Sequence, residues 1–384
     1  MWGQKVAKEA RTKLDISKKE NSQDREIVRL NKSYDRINNS SSKLFYSSII
    51  CLNILTLFVC VFYLNSKQKI EDINMVLSGF DYNLLILLSV MFVGMIILKA
   101  LPLYLRIYSK VKNRRFGYVL GATIAGEFFG KVTIYGLGEN SVVTNNLQNK
   151  SVSPNLSIDV KYGANVFRNL SQLIFWFVTI VLGLIFCINS IKSWLVVIGL
   201  ISFIIISSST IFVLVFKANK KFGIDVVSKF VKVLYNLGLT KNYEETYNKM
   251  LDKVIVSVNG IKQDGWLIFV EIFSGLLCEF LKGAMIYFLV VTLNFSEGTI
   301  IFEILFKFSI MQLIFKLWPL QSGTLIFELL FVALFENIFF SGYVFWGLII
   351  YRFFDLFAYV IVYLIQVVIK SILNTKSKKS TKTN

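Results

Sequence analysis

Residues 316–359 read KLWPLQSGTLIFELLFVALFENIFFSGYVFWGLIIYRFFDLFAY, and the reading of this stretch decides the fold class. An apolar run reaches Trp318 and stops at Pro319. Polar and small residues follow at Gln321, Ser322, Gly323 and Thr324. Apolar character then resumes with Glu328 and Glu336 inside it, and a further apolar run carries Arg352 and Asp355. In lipid, irregular backbone and charge are tolerated where they are buried in protein or line a wet cavity. The stretch therefore reads as a broken membrane segment and as the first place to look for function.

The rest of the chain supports that class. Its 384 residues are 55% hydrophobic, with a mean hydropathy of +0.60 and 35 phenylalanines. Soluble domains stay nearer 45–50% apolar on a broader count of about nine residue types. Several runs approach the roughly twenty apolar residues that cross a bilayer core. The expectation is an all-α, polytopic integral membrane bundle. The net charge of +18 is not a nucleic-acid signal, because the basic residues sit in the gaps between apolar runs. That is the positive-inside pattern, with attraction to anionic headgroups as a second use. The chain has no histidine, which removes His-based acid–base chemistry, Ser–His and Cys–His nucleophiles, and His metal sites. Cys51, Cys60, Cys187 and Cys278 all lie in apolar runs without CxxC spacing, and read as small apolar fillers.

Residues 1–43 carry eleven Lys/Arg against six Asp/Glu. Ile27, Leu30, Tyr34, Ile37 and Leu44 form a heptad-like stripe, read as a cytoplasmic helix leading into the membrane. Spans are expected at 44–64 and 84–105, and the basic cluster from Arg106 to Arg115 places the following loop inside. Residues 117–138 hold six glycines together with Glu127 and Lys131, and read as a re-entrant pair of short helices. A loop is expected over 139–166, then spans at 168–188 and 194–216. Residues 217–262, with nine Lys and four acids, predict a cytoplasmic amphipathic hairpin on or near the membrane. Its stripes are Phe222, Val226, Phe230, Val233 and Leu237, then Tyr247, Leu251, Val254, Val258 and Ile261. Asn242 and Glu245 are placed as a capping box for its second helix. A span at 266–293 leads to two segments, 299–318 and 324–340, split at Pro319. The last span is 343–369, and a basic tail covers 370–384. The sum is a transmembrane domain over 44–369 with about eight embedded segments, two of them interrupted, and both termini cytoplasmic.

Charges inside the apolar runs form local pairs: Glu127 with Lys131 and Glu303 with Lys307 at i,i+4, Glu279 with Lys282 and Arg352 with Asp355 at i,i+3. On a helix these spacings share a face, and pairing lowers the cost of burial. Each pair is read with equal weight as structural self-neutralisation and as function. Glu271, Lys316, Glu328 and Glu336 have no local partner at these spacings. Lys316 and Glu328 flank Pro319, so a chain that doubles back there would let them meet. The plainer reading has Lys316 snorkelling to an interface.

At these residues the chain resembles the flippase-like family, the transmembrane region of bacterial lysyl-phosphatidylglycerol synthases and related stand-alone membrane proteins. One family pattern is P-x-P-G-x-x-G-x-x-E with Phe three and seven residues on. Pro319 and Glu328 keep its separation, and Phe331 and Phe335 take the two Phe positions. Gln321, Ser322 and Leu325 replace its second proline and two glycines, and Gly323 lies one position late. Arg352, Phe353, Phe354 and Tyr359 resemble the family's late Arg followed by aromatics. An early T-P-x-x-x-G-G-x-P pattern is similar at Phe128, Phe129, Thr133 and Gly138, without its prolines. The resemblance implies two re-entrant helix pairs around a cavity that passes a lipid headgroup between leaflets. Broken segments in both halves also point to a transporter site on general grounds.

The leading expectation is a flippase or translocation protein for a phospholipid, aminoacylated headgroups included, in the cell membrane. The residues assigned to the lipid path are Glu127, Lys131, Thr133, Gly138, Lys316, Pro319, Ser322, Gly323, Thr324, Glu328, Arg352 and Asp355. The alternatives are a transporter of a small polar solute and a non-transporting membrane partner of a lipid-modifying enzyme. The partners expected are anionic or aminoacylated phospholipids, with a homo-oligomer or partner enzyme also compatible. No metal or other cofactor is expected, and the chain has no GxxxxGK[ST] phosphate loop. Catalysis is not expected, since the aminoacyl-transfer domain of the full synthases would follow the last span and the chain ends soon after it.

Overall fold

The computed structural model describes residues 81–111, 115–133, 136–150, 152–187, 190–236, 240, 242–261, 265–294, 301–318, 326–339 and 343–380, with the single positions Val28, Cys51 and Leu55. The expected span at 44–64 and the stripe before it lie outside these residues, apart from Val28, Cys51 and Leu55. So do Pro319, Ser322, Gly323 and Thr324. Every regular element among the described residues is helical. Among the described residues, five helices are long and apolar enough to cross a membrane.

Helix α1 (Tyr82–Tyr108) starts where the Asp81 carboxylate accepts from the Asn83 amide at 2.9 Å, an N-cap that satisfies an orphan donor. Leu84, Leu88, Met91 and Met95 repeat at helical spacing and are buried, whereas Ile86, Val90 and Val93 face outward. Helix α2 (Phe116–Val132) folds back along α1. Phe116 meets the Tyr104 ring at 5.4 Å, and Glu127 meets Lys99 further along. The chain turns at Gly136, whose φ of 64° is the left-handed conformation that glycine adopts without a Cβ penalty. Helix α3 (Leu137–Gln148) then returns, so that Val143 and Leu147 join Leu103, Ile107, Val119 and Ala122 in one apolar cluster.

Helix α4 (Pro154–Phe186) is the longest, and Pro154 stands at its first turn, where the missing N–H costs nothing. Helix α5 (Ser193–Ala218) turns much of its surface outward through Val197, Ile201, Ile204 and Ile205. Helices α6 (Lys220–Asn236) and α7 (Tyr243–Gly260) follow, and the Asn242 side chain caps α7 by accepting from the Glu245 amide at 3.2 Å. Val256 and Ile261 at the end of α7 pack against Ile158, Val166 and Phe167 of α4. Helix α8 (Gly265–Asn294) crosses the bundle again.

Helix α9 (Ile301–Lys316) runs antiparallel to α4 and stops halfway along it. Phe306 sits against Gly183, where a Cβ would lie 2.1 Å from its ring, so only glycine admits this approach. Further along, Ser309 shares a hydrogen bond with Thr179 at 2.6 Å, and Lys316 reaches Gln172. Helix α10 (Ile326–Phe335) starts where Phe327 meets Phe315 at 5.6 Å, and its end returns to Lys192, 4.0 Å from Glu336. Helix α11 (Val344–Arg352), a π-helical turn (Phe353–Phe357) and helix α12 (Ala358–Ser380) complete the chain. The pairs α2–α3 and α9–α10 thus lie toward opposite ends of α4, where Glu139 of α3 meets Lys161 and Glu336 beyond α10 meets Lys192, while α2 and α9 end near mid-bundle at Lys131 and Lys316.

Several sequence expectations change. Residues 139–166 are not a loop, since they hold α3 and the first turns of α4. Polarity over 154–172 reflects a polar face turned into the bundle. Residues 117–138 do not contain both arms of a helix pair: one helix fills Phe116–Val132, and the returning arm comes from 137–148. Helix α6 has a packed face besides the expected stripe. Gly223, Val227 and Val231 are buried, whereas Phe222, Phe230 and Val233 are exposed.

Candidate functional site

A cavity of about 230 Å³ is lined by α1, α2, α3, α4, α8, α9, α11, the π turn and α12. Helix α4 supplies its polar wall. Lys161, Asn165, Arg168 and Gln172 are spaced by four, three and four residues, so they form one stripe along the helix.

The charged lining is a chain of ion pairs between different helices. Lys99 on α1 donates to Glu127 on α2 at 2.6 Å and to the Tyr359 hydroxyl at 3.4 Å. Lys131, one turn beyond Glu127, donates instead to Asp355 of the π turn at 2.8 Å. Both ammonium groups lie over the Tyr359 ring, at 5.4 and 5.3 Å from its centre. Glu139 on α3 takes Lys161 at 2.5 Å and Arg168 at 2.9 Å, and Arg168 also reaches Glu127 at 3.5 Å. Glu279 on α8 takes Lys282 at 2.6 Å and the Gln172 amide at 2.8 Å. Lys316 donates to Gln172 Oε1 at 2.6 Å and to Asn169 Oδ1 at 3.1 Å, and lies 5.1 Å from the centre of the Trp176 ring. Glu271 is held by Arg106, fully buried at the cavity's edge.

The π turn matters to this geometry. It adds a residue to the helical turn without ending the helix, the common form of a π-bulge at functional sites. The added residue sets the register in which Asp355 reaches Lys131 while Tyr359, four residues on, reaches Lys99.

Of the residues assigned from sequence, Glu127, Lys131, Lys316 and Asp355 line the cavity together. The i,i+4 pair of Glu127 with Lys131 does not form; each takes a partner on another helix. The Lys316–Glu328 contact does not form either. Glu328 instead binds Arg352 through Nε at 2.8 Å and Nη2 at 2.6 Å, with Arg352 stacked 4.2 Å over the Phe327 ring. This pair is completely buried beside the cavity and does not line it. Arg352 does keep its i,i+3 neighbour Asp355, at 3.5 Å, and so helps to position it. Thr133 and Gly138 serve the α2–α3 turn: the Gly138 amide donates to Thr133 Oγ1 at 2.8 Å. The pairs Glu303–Lys307 and Glu279–Lys282 form as spaced, at 2.9 and 2.6 Å.

Sequence reasoning missed Lys99, Glu139, Lys161, Arg168 and Gln172. The signal was present for three of them in the helical spacing of the polar residues between 161 and 172, which the expected loop–span boundary at 166–168 cuts in two. Compared with protein-family models, curated proteins and solved structures, the chain matches none.

Proposed function

We propose that this chain is a membrane lipid translocator that passes a phospholipid headgroup between leaflets through the charged cavity. In this reading α2–α3 and α9–α10 are the two re-entrant pairs, giving about eight embedded segments with the N-terminal span. The observation that carries it is a mid-bundle cavity lined by charges of both signs, near the ends of α2 and α9. Ionisable groups at membrane depth mark substrate paths by default, and broken helices at the midplane are the usual architecture of a transport site. The arms of the hairpins fit the reading too. At 1.5 Å per residue the 16 residues of α9 reach about 24 Å and the 10 of α10 about 15 Å, short of a hydrocarbon core of roughly 30 Å.

A cavity of about 230 Å³ is smaller than the roughly 300–1,000 Å³ pockets of drug-sized ligands. It suits a headgroup whose acyl chains stay in the bilayer. The same volume favours a small polar solute as the second reading. Reconstitution separates them. Vesicles holding the wild-type protein and a headgroup-labelled phospholipid are expected to exchange label between leaflets faster than protein-free vesicles, and Glu127→Gln and Asp355→Asn to slow that exchange. Wild-type vesicles no faster than protein-free ones would sink the lipid reading.

A further inference from the structure

We infer that the flank of the cavity formed by Lys316 and Arg168 is an anion subsite that takes the phosphate of a phosphate ester. The inference rests on the cavity being a binding site, and adds which chemical group binds where.

The charge balance is the first argument. The lining holds six cations (Lys99, Lys131, Lys161, Arg168, Lys282, Lys316) and five carboxylates (Glu127, Glu139, Glu271, Glu279, Asp355). Glu271 is neutralised from outside the lining by Arg106, which leaves six cations against four carboxylates. The surplus is localised. Lys99, Lys131 and Lys282 each have a carboxylate partner, and Lys161 shares Glu139 with Arg168. Lys316 pairs with no carboxylate among the described residues; its partners are two amide oxygens and a Trp ring.

The second argument is the form of the Lys316 site. An ammonium has three donors, and two are directed at Asn169 and Gln172. Gln172 is fixed in turn by donating to Glu279, so the ammonium is held in place without being neutralised. With only neutral partners at hydrogen-bond distance among the described residues, the ammonium keeps its charge available to a bound anion. Arg168, next to Asn169 on the same wall, is the most exposed of these paired cations, at 31% of its side-chain area, with its fork already at the cavity. A guanidinium fork beside a point-charge ammonium is the donor set that suits phosphate oxygens.

The source of the phosphate, a lipid headgroup or a free ester, is decided by experiment. Detergent-purified full-length protein is titrated with glycerol 3-phosphate and, separately, with short-chain phosphatidylglycerol, following Trp fluorescence or heat. Wild type is expected to bind at least the lipid. Lys316→Met and Arg168→Gln are each expected to weaken binding about tenfold or more, the scale of one charge-assisted hydrogen bond. Lys249→Gln on the exposed face of α7 should bind as wild type. Size-exclusion elution and thermal unfolding of each variant show whether it remains folded; Lys316→Arg, which keeps the charge, is expected to restore binding. Equal affinity of wild type, Lys316→Met and Arg168→Gln overturns the subsite, whatever the vesicles do. Absence of wild-type binding to either ester also overturns it. Phosphate-ester binding that depends on Lys316, in a protein that moves no lipid in vesicles, keeps the subsite and removes the translocation reading.

Discussion

Each ammonium or carboxylate in the cavity is worth as much as the partner that tertiary packing gives it. Lys131 is the clearest case. It is four residues from Glu127 yet binds Asp355, 224 residues away. A double-mutant cycle in thermal unfolding is expected to give a coupling of about 1 kcal/mol or more for Lys131 with Asp355, and a smaller one for Lys131 with Glu127. The reverse order would contradict the pairing described. Glu328 and Arg352 are a second case. Both side chains are buried, at 1% and 2% of their area, so removing one leaves a charge unpaired. Glu328→Ala is expected to cost about 3–5 kcal/mol of stability, and the paired replacement Glu328→Met/Arg352→Met much less, because desolvation falls on both ions together. Comparable destabilisation by the single and double replacements would show that the ion pair itself, and not the stranded charge, matters.

At the scale of elements, the π turn and α6 carry the sharpest consequences. Deleting Phe357 should close Phe353–Phe357 to ordinary α-helix and bring Tyr359 from four residues to three residues beyond Asp355. Asp355 and Tyr359 then cannot serve Lys131 and Lys99 together. The expected outcome is a folded protein with transport greatly reduced, read by size-exclusion elution beside vesicle exchange; wild-type exchange rates would remove the π turn from the mechanism. On α6 the outward stripe of Phe222, Phe230 and Val233 sits beside Lys221, Lys229 and Lys232, the arrangement of a helix lying in a membrane interface. A fluorophore on Phe230→Cys is expected to be quenched by brominated acyl chains in vesicles. An unquenched label would place α6 away from the lipid. The stripe itself was legible in the sequence. That Gly223, Val227 and Val231 form an inner face was not, because α6 has two apolar faces and only packing against α5 and α7 selects that one.

For the whole molecule, the proposed re-entrant pairs at opposite ends of the long helices set a topology that labelling can read. With α2–α3 entering from the cytoplasmic side, single cysteines replacing Lys150 and Lys249 are expected to react only from inside, and one replacing Lys192 only from outside. Reaction of all three from one side would refute the arrangement. The sequence by itself determined the membrane class, the presence of most helices and the location of the break near Lys316, because hydropathy and helical period are local properties. It also singled out Glu127, Lys131, Lys316 and Asp355, four of the residues that line the cavity, since charge inside an apolar run is conspicuous in any order of folding. Only the tertiary structure decided which charges meet. Spacing reports neighbours on one helix, whereas Lys316 finds Gln172 across 144 residues and Lys99 finds Glu127 across 28. Those contacts exist because α9 stops halfway along α4 and α2 folds back along α1, and no local pattern encodes where helices far apart in the chain will meet.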